Sequence, residues 1–149
     1  MENEFVSYKV ALELEKLGLE LENVFGKYIK YEEHVYEDFR SGRDYIFNEG
    51  SPIRVSTYQG RLNEYEVFLC YAPLYQQVFN FFLNKFNIIG NVYATGSGYE
   101  WEYHYSPKKG GTKISMSDDD GDCEFSGAYT TYEKAREDLI NNMISWINR

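Results

Sequence analysis

The chain has 149 residues, 43% of them apolar, and a domain of that size buries roughly two-thirds of its unfolded surface, so one domain with one packed core is expected. A formal net charge of −9, from 24 acidic and 15 basic side chains, argues against direct binding to nucleic acid or to anionic membranes. No apolar run approaches the ~18 residues of a bilayer span, and the first residues lack the basic and apolar stretches of a secretory leader. The two cysteines, Cys70 and Cys123, form no CxxC pair, so the chain is read as cytoplasmic with both thiols reduced and packed.

In chain order, Ser7 is a helix N-cap, and Val6 just before it is followed by Val10, Leu14, Leu17 and Leu21 at three- and four-residue steps. This predicts an amphipathic helix that stops near Gly18. Residues 24–31 (VFGKYIKY) are rich in β-branched and aromatic side chains and read as a strand. Residues 32–63 hold several glycines, with short strands expected at 45–47 and 53–55; a long ordered loop is the alternative reading. Residues 64–71 (EYEVFLCY) read as a strand. Pro73 fits the first helical position, and Leu74, Val78, Phe81, Phe82 and Phe86 follow at helical spacing.

An antiparallel meander is expected next, with strands at 88–94, 99–105, 112–117 and 123–129. In YEWEYHY, Tyr99, Trp101, Tyr103 and Tyr105 share one face, and Glu100, Glu102 and His104 share the other. That alternation predicts one covered and one wet face, with Lys113 on the neighbouring strand. Thr130 and Glu133 match a capping box. Tyr132, Ala135, Leu139, Met143, Trp146 and Ile147 form the stripe of a last helix. The fold class is therefore α+β: an antiparallel sheet, the 88–130 meander plus one or more earlier strands, with about three helices on one face.

Three segments carry a family resemblance: Phe5-Val6-Ser7-Tyr8-Lys9-Val10-Ala11-Leu12, Ala72-Pro73-Leu74-Tyr75-Gln76-Gln77-Val78-Phe79, and Tyr132-Glu133-Lys134-Ala135. With their spacing, the chain resembles a group of small proteins without established function found in genomes of gut anaerobes and their prophages. The resemblance implies a bacterial or phage cytoplasm and a mobile-element accessory role. It brings no functional residues.

Few side chains suggest chemistry. The aromatic stripe of 99–105 can stack bases or sugars, but helices need an apolar sheet face, so it is read as core. Glu100, Glu102 and His104 lie in a row that can hold a metal or move protons; the plain reading is a solvent face. Asp118-Asp119-Asp120-Gly121-Asp122 fails the calcium-loop pattern, with glycine fourth and Tyr129 where the last carboxylate is needed, and reads as a turn. Cys70 or Cys123 with a histidine matches no nucleophile motif. Arg40, Arg43, Arg54 and Arg61 are the one concentration of fixed positive charge, and they are the place for an anionic ligand if there is one.

No catalytic residue, metal site or cofactor is expected. The leading expectation is a non-enzymatic protein that binds another protein, as a phage or mobile-element factor interfering with a host system. Glu100, Glu102, His104, Asp118, Asp119, Asp120 and Asp122 are its candidate surface. The alternatives are a small protein or enzyme for a nucleotide-like anion, using the arginines, and a structural or oligomeric phage component.

Overall fold

The computed structural model describes residues 4–47, 50–105, 123–125 and 129–149. They form an α+β fold of three helices and three antiparallel sheets. Helix α1 is Tyr8–Lys16. Strands β1 (Lys27–Tyr31), β2 (His34–Asp38), β3 (Arg43–Phe47), β4 (Arg54–Ser56) and β5 (Glu66–Tyr71) follow. Helix α2 is Tyr75–Phe81, prolonged by a π-helical turn, Phe82–Phe86. Strands β6 (Ile88–Thr95), β7 (Gly98–Tyr105) and β8 (Cys123–Phe125) precede helix α3, Tyr132–Ile147.

Local chemistry accounts for most of these boundaries. The Ser7 hydroxyl accepts from the Val10 N–H at 3.4 Å and opens α1. Gly18, at φ +87°, closes it. Lys85 donates to the Leu17 carbonyl at 2.7 Å, placing a cation at the negative end of α1. The π turn brings residues five apart onto one side, so the Phe81 and Phe86 rings meet edge to face, 5.5 Å apart.

Two expected helix starts shift. Pro73 lies ahead of α2, which begins at Tyr75; its carbonyl accepts the Val6 N–H at 3.1 Å, holding it outside the helix. The cap of α3 is Thr131, not Thr130, and accepts from the Lys134 N–H at 3.2 Å. Tyr129 is still bridged to Tyr99, so the chain leaves the sheet one residue later than the capping-box spacing suggests.

The sheets have the orders β4-β1-β5, β2-β3 and β6-β7-β8. The earlier strands thus form sheets of their own instead of extending the meander. In the first sheet, Tyr28 faces Cys70 but Ile29 faces Phe68, leaving Leu69 as a bulge. The bulge reverses the facing of the strand beyond it, so the Phe68 and Tyr71 rings meet, 5.0 Å apart.

One core joins the first and third sheets to the helices. It contains Val10 and Leu14 of α1, Tyr28, Cys70, Val78, Phe82, Ile88, Trp101 and Tyr103, and Leu139, Ile140 and Met143 of α3. Trp101 and Tyr103 are covered, and Tyr99 and Tyr105 are half-buried at the ends of the stripe. The second face of β7 departs from expectation. His104 is only 7% exposed and Glu102 is largely covered, so this end of the strand has no wet face. The neighbour of β7 on its second edge is β8, pairing Glu102 with Phe125 and His104 with Cys123, not the strand expected at 112–117. Residues 112–117 and the turn expected at 118–122 lie outside the described residues.

Candidate interaction surface

Among the described residues, strands β2 and β3 pair only with each other, in the register His34↔Phe47 to Asp38↔Arg43. Asp38 shapes the turn between them. Its carboxylate accepts from the Arg40 N–H at 3.0 Å and the Ser41 hydroxyl at 2.8 Å, and its carbonyl accepts from the Gly42 N–H at 2.8 Å. The Ser41 hydroxyl, then the Arg40 N–H, hold this carboxyl below its ordinary pKa of 3.8. Gly42 supplies the left-handed conformation that the turn needs, at φ +65°.

Side chains on both faces of this hairpin reach water. Val35 and Tyr36 are consecutive, so they point to opposite faces, and they are 56% and 55% exposed. Tyr45, directly across from Tyr36, is also exposed. Phe39 stands at the turn with 89% of its surface in water. Arg40 and Arg43, both exposed, flank it. The result is an arm with an apolar tip and charges of both signs, Arg40 and Arg43 beside Glu37, Asp38 and Asp44.

The four arginines come from three places: Arg40 and Arg43 from the arm, Arg54 from β4, and Arg61 from the loop before β5. Arg54 lies over the Tyr31 ring, 4.9 Å from its centroid, and donates to the Tyr31 hydroxyl at 2.6 Å. Arg61 is exposed. On β7, His104 Nε2 is 3.5 Å from Glu102 Oε1, and His104 Nδ1 is buried with no hydrogen-bond partner among the described residues. Glu100, two residues before Glu102 on the same face, accepts from the hydroxyl of Tyr93, its partner on β6, at 3.2 Å. Asp118, Asp119, Asp120 and Asp122 lie outside the described residues. No group of three or more metal-ligating side chains forms among the described residues.

Cys70 is free and buried. Burial, then the Glu15 carboxylate, pushes its thiol up from 9.0 to about 11, which suppresses the thiolate that nucleophilic chemistry needs.

Helix α3 carries a polar seam that the sequence pattern did not single out. Glu137 accepts from the Ser7 hydroxyl and, at 2.7 Å, from the Tyr75 hydroxyl. Asp138 accepts from Trp101 Nε1 at 2.8 Å and from the Tyr129 hydroxyl. Arg136 is 7% exposed; its guanidinium lies 3.6 Å from the Tyr75 ring centroid and 3.7 Å from the Glu4 carboxylate. The spacing did hold a signal for Arg136. It stands three, four and seven residues before Leu139, Ile140 and Met143, on the buried stripe itself. The arm also left a trace, since Asp38 and Gly42 bracket a turn and Val35-Tyr36 precedes it.

Comparison with protein-family models, with curated proteins and with solved structures finds no match for this chain.

Proposed function

We propose that this is a non-enzymatic binding protein that engages another protein through the β2–β3 arm. One observation carries the reading: a two-stranded hairpin exposes Val35, Tyr36, Phe39 and Tyr45 on both faces and at its tip. Such a ribbon is marginal in water on its own, and a cluster of large exposed apolar side chains marks an interaction site. The tip also defines the chemistry of the partner. Phe39 needs an apolar pocket, and the mixed charge beside it, Arg40 and Arg43 with Glu37, Asp38 and Asp44, favours a polar rim of both signs.

The test is affinity capture from a bacterial lysate at physiological salt, with the wild-type chain beside a Tyr36→Ser/Phe39→Ser variant. Both side chains are exposed, so the variant keeps its fold, as circular dichroism and Tm will show. A partner held by the wild type and released by the variant is the expected result. A partner held equally by both, or none on either, refutes the reading. The finer reading, a phage or mobile-element factor acting on a host protein, is supported by the sequence resemblance. Adjacent defence or anti-defence genes are its test.

A further inference from the structure

The third sheet has an edge that the arm does not involve. Tyr99 exchanges both backbone hydrogen bonds with Tyr129, at 2.9 and 2.6 Å. Tyr99 and every second residue after it on β7 therefore turn their backbone groups away from β6. Their partners on β6 are Ala94, Val92, Gly90 and Ile88. By the same alternation, these four aim N–H and C=O outward. β6 ends the sheet order, and no strand of the described residues pairs with that edge. Its sequence, IIGNVYAT, contains neither charge nor proline, the usual devices that blunt an edge strand.

The edge borders a built space. A cleft of about 490 Å³ is lined by Gly90, Asn91 and Val92, by Gln76 and Phe79 of α2, and by Tyr132 and Arg136 of α3, with Glu4 at its side. Tyr132 touches Tyr99, whose β6 partner is Ala94, while Met143 faces Gly90. Arg136 is therefore towards the Val92–Ala94 end. Glu4 shows what Arg136 attracts: a carboxylate 3.7 Å from the guanidinium, on a side chain that is itself 64% exposed.

We propose that the outer edge of β6 receives an extended C-terminal peptide as an added strand, parallel to β6, with its terminal carboxylate replacing Glu4 at Arg136. The main-chain bonds go to Gly90, Val92 and Ala94, alternate side chains enter the cleft beside Phe79, and the charge fixes the end. Five residues, at ~3.3 Å each, match the length from Gly90 to Ala94. A single terminal charge suits an acidic chain better than a peptide with several carboxylates.

The probe is a library of apolar hexapeptides with free carboxylates, screened on the full chain beside the same library as C-terminal amides. Peptides selected from the acid library are expected to shift the backbone NMR signals of Gly90, Val92 and Ala94 and to slow their amide exchange. Amidation is expected to weaken them at least tenfold, as is N-methylation at alternate peptide nitrogens. Glu4→Gln, at an exposed position, is expected to tighten binding by removing one competing carboxylate. Arg136→Met is expected to abolish the preference for acid over amide; because Arg136 is buried, the ligand-side amide comparison decides if that variant fails to fold. No selected peptide, shifts elsewhere than β6, or equal binding of acid and amide would each overturn the proposal. The Tyr36→Ser/Phe39→Ser variant is expected to bind these peptides normally, which separates this site from the arm.

Discussion

Replacing Gly98 with alanine probes the junction that closes the third sheet. Gly98 sits at φ +148°, which side chains rarely adopt, and a Cβ there would fall on the Tyr129 carbonyl oxygen. The backbone strain and the overlap would each cost about 1–3 kcal/mol if nothing moved. The molecule has a cheaper escape, however: it can break the two Tyr99–Tyr129 hydrogen bonds. Each is worth about 1 kcal/mol, and some packing of half-buried Tyr129 goes with them, so the net loss is about 2–3 kcal/mol. With a urea m-value of about 2 kcal/mol/M, the unfolding midpoint falls by about 1–1.5 M. Gly96→Ala, in the same turn, is the control. Its Cβ meets nothing within 4 Å and its φ is not positive, so its midpoint stays near the wild-type value. Amide exchange at Tyr99 and Tyr129 reports the local opening. If Gly98→Ala matches Gly96→Ala in midpoint and exchange, the close approach of the two backbones is wrong.

Three further outcomes follow from the buried polar groups and the arm. Burial, then the Glu137 and Cys70 charges, pushes the Tyr28 hydroxyl up from 10.0 to about 12; burial pushes the Cys70 thiol up from 9.0 to about 11, and burial with the Glu137 hydrogen bond raises Tyr75. The folded chain holds protons that the unfolded chain releases, so this stability is whole below about pH 9 and is lost as pH rises towards 12. Urea midpoints across that range should fall, and less steeply in Tyr28→Phe; a flat profile refutes the assignment. Asp138→Ala, which removes the acceptor of Trp101 and Tyr129, should cost about 2 kcal/mol and alter tryptophan fluorescence, with Asp138→Asn milder. Amides of β2 and β3 should exchange far faster than those of β6 and β7, because Val35, Tyr36 and Tyr45 are all exposed; equal protection would mean the arm is docked.

What was legible in the sequence was what repeats. The 3.6-residue stripes of α1 and α3 and the two-residue alternation of β7 report which face meets the core, and Trp101 and Tyr103 lie there. What could not be read depends on partners distant in sequence. Alternation placed His104 opposite the core but could not show that this face is also covered. The start of α3 depends on Tyr99, thirty residues before Tyr129, which keeps the chain in the sheet until Tyr129 has passed. The β2–β3 arm was obscured because Val35 and Tyr36, adjacent and on opposite faces, are both exposed, so they carry no burial period. The edge of β6 was invisible for a simpler reason: direction of backbone groups follows from pairing, and pairing is not written in one strand.

The Glu137 carboxylate, which binds the Ser7 cap of α1 and the Tyr75 hydroxyl at the start of α2, also sets an order of events during synthesis. A ribosome delivers α1, α2 and the Trp101–Tyr103 stripe first, and the helix that fastens and covers them afterwards. The 34 residues from Tyr103 to Glu137 take roughly 2–7 s to translate at typical rates. For that interval the nascent chain presents a bare aromatic face beside the uncharged β6. Its safe arrival therefore depends on how quickly α3 follows, or on a chaperone at the exit tunnel, and a stall ahead of α3 would leave an aggregation-prone fragment in place of a smaller folded one.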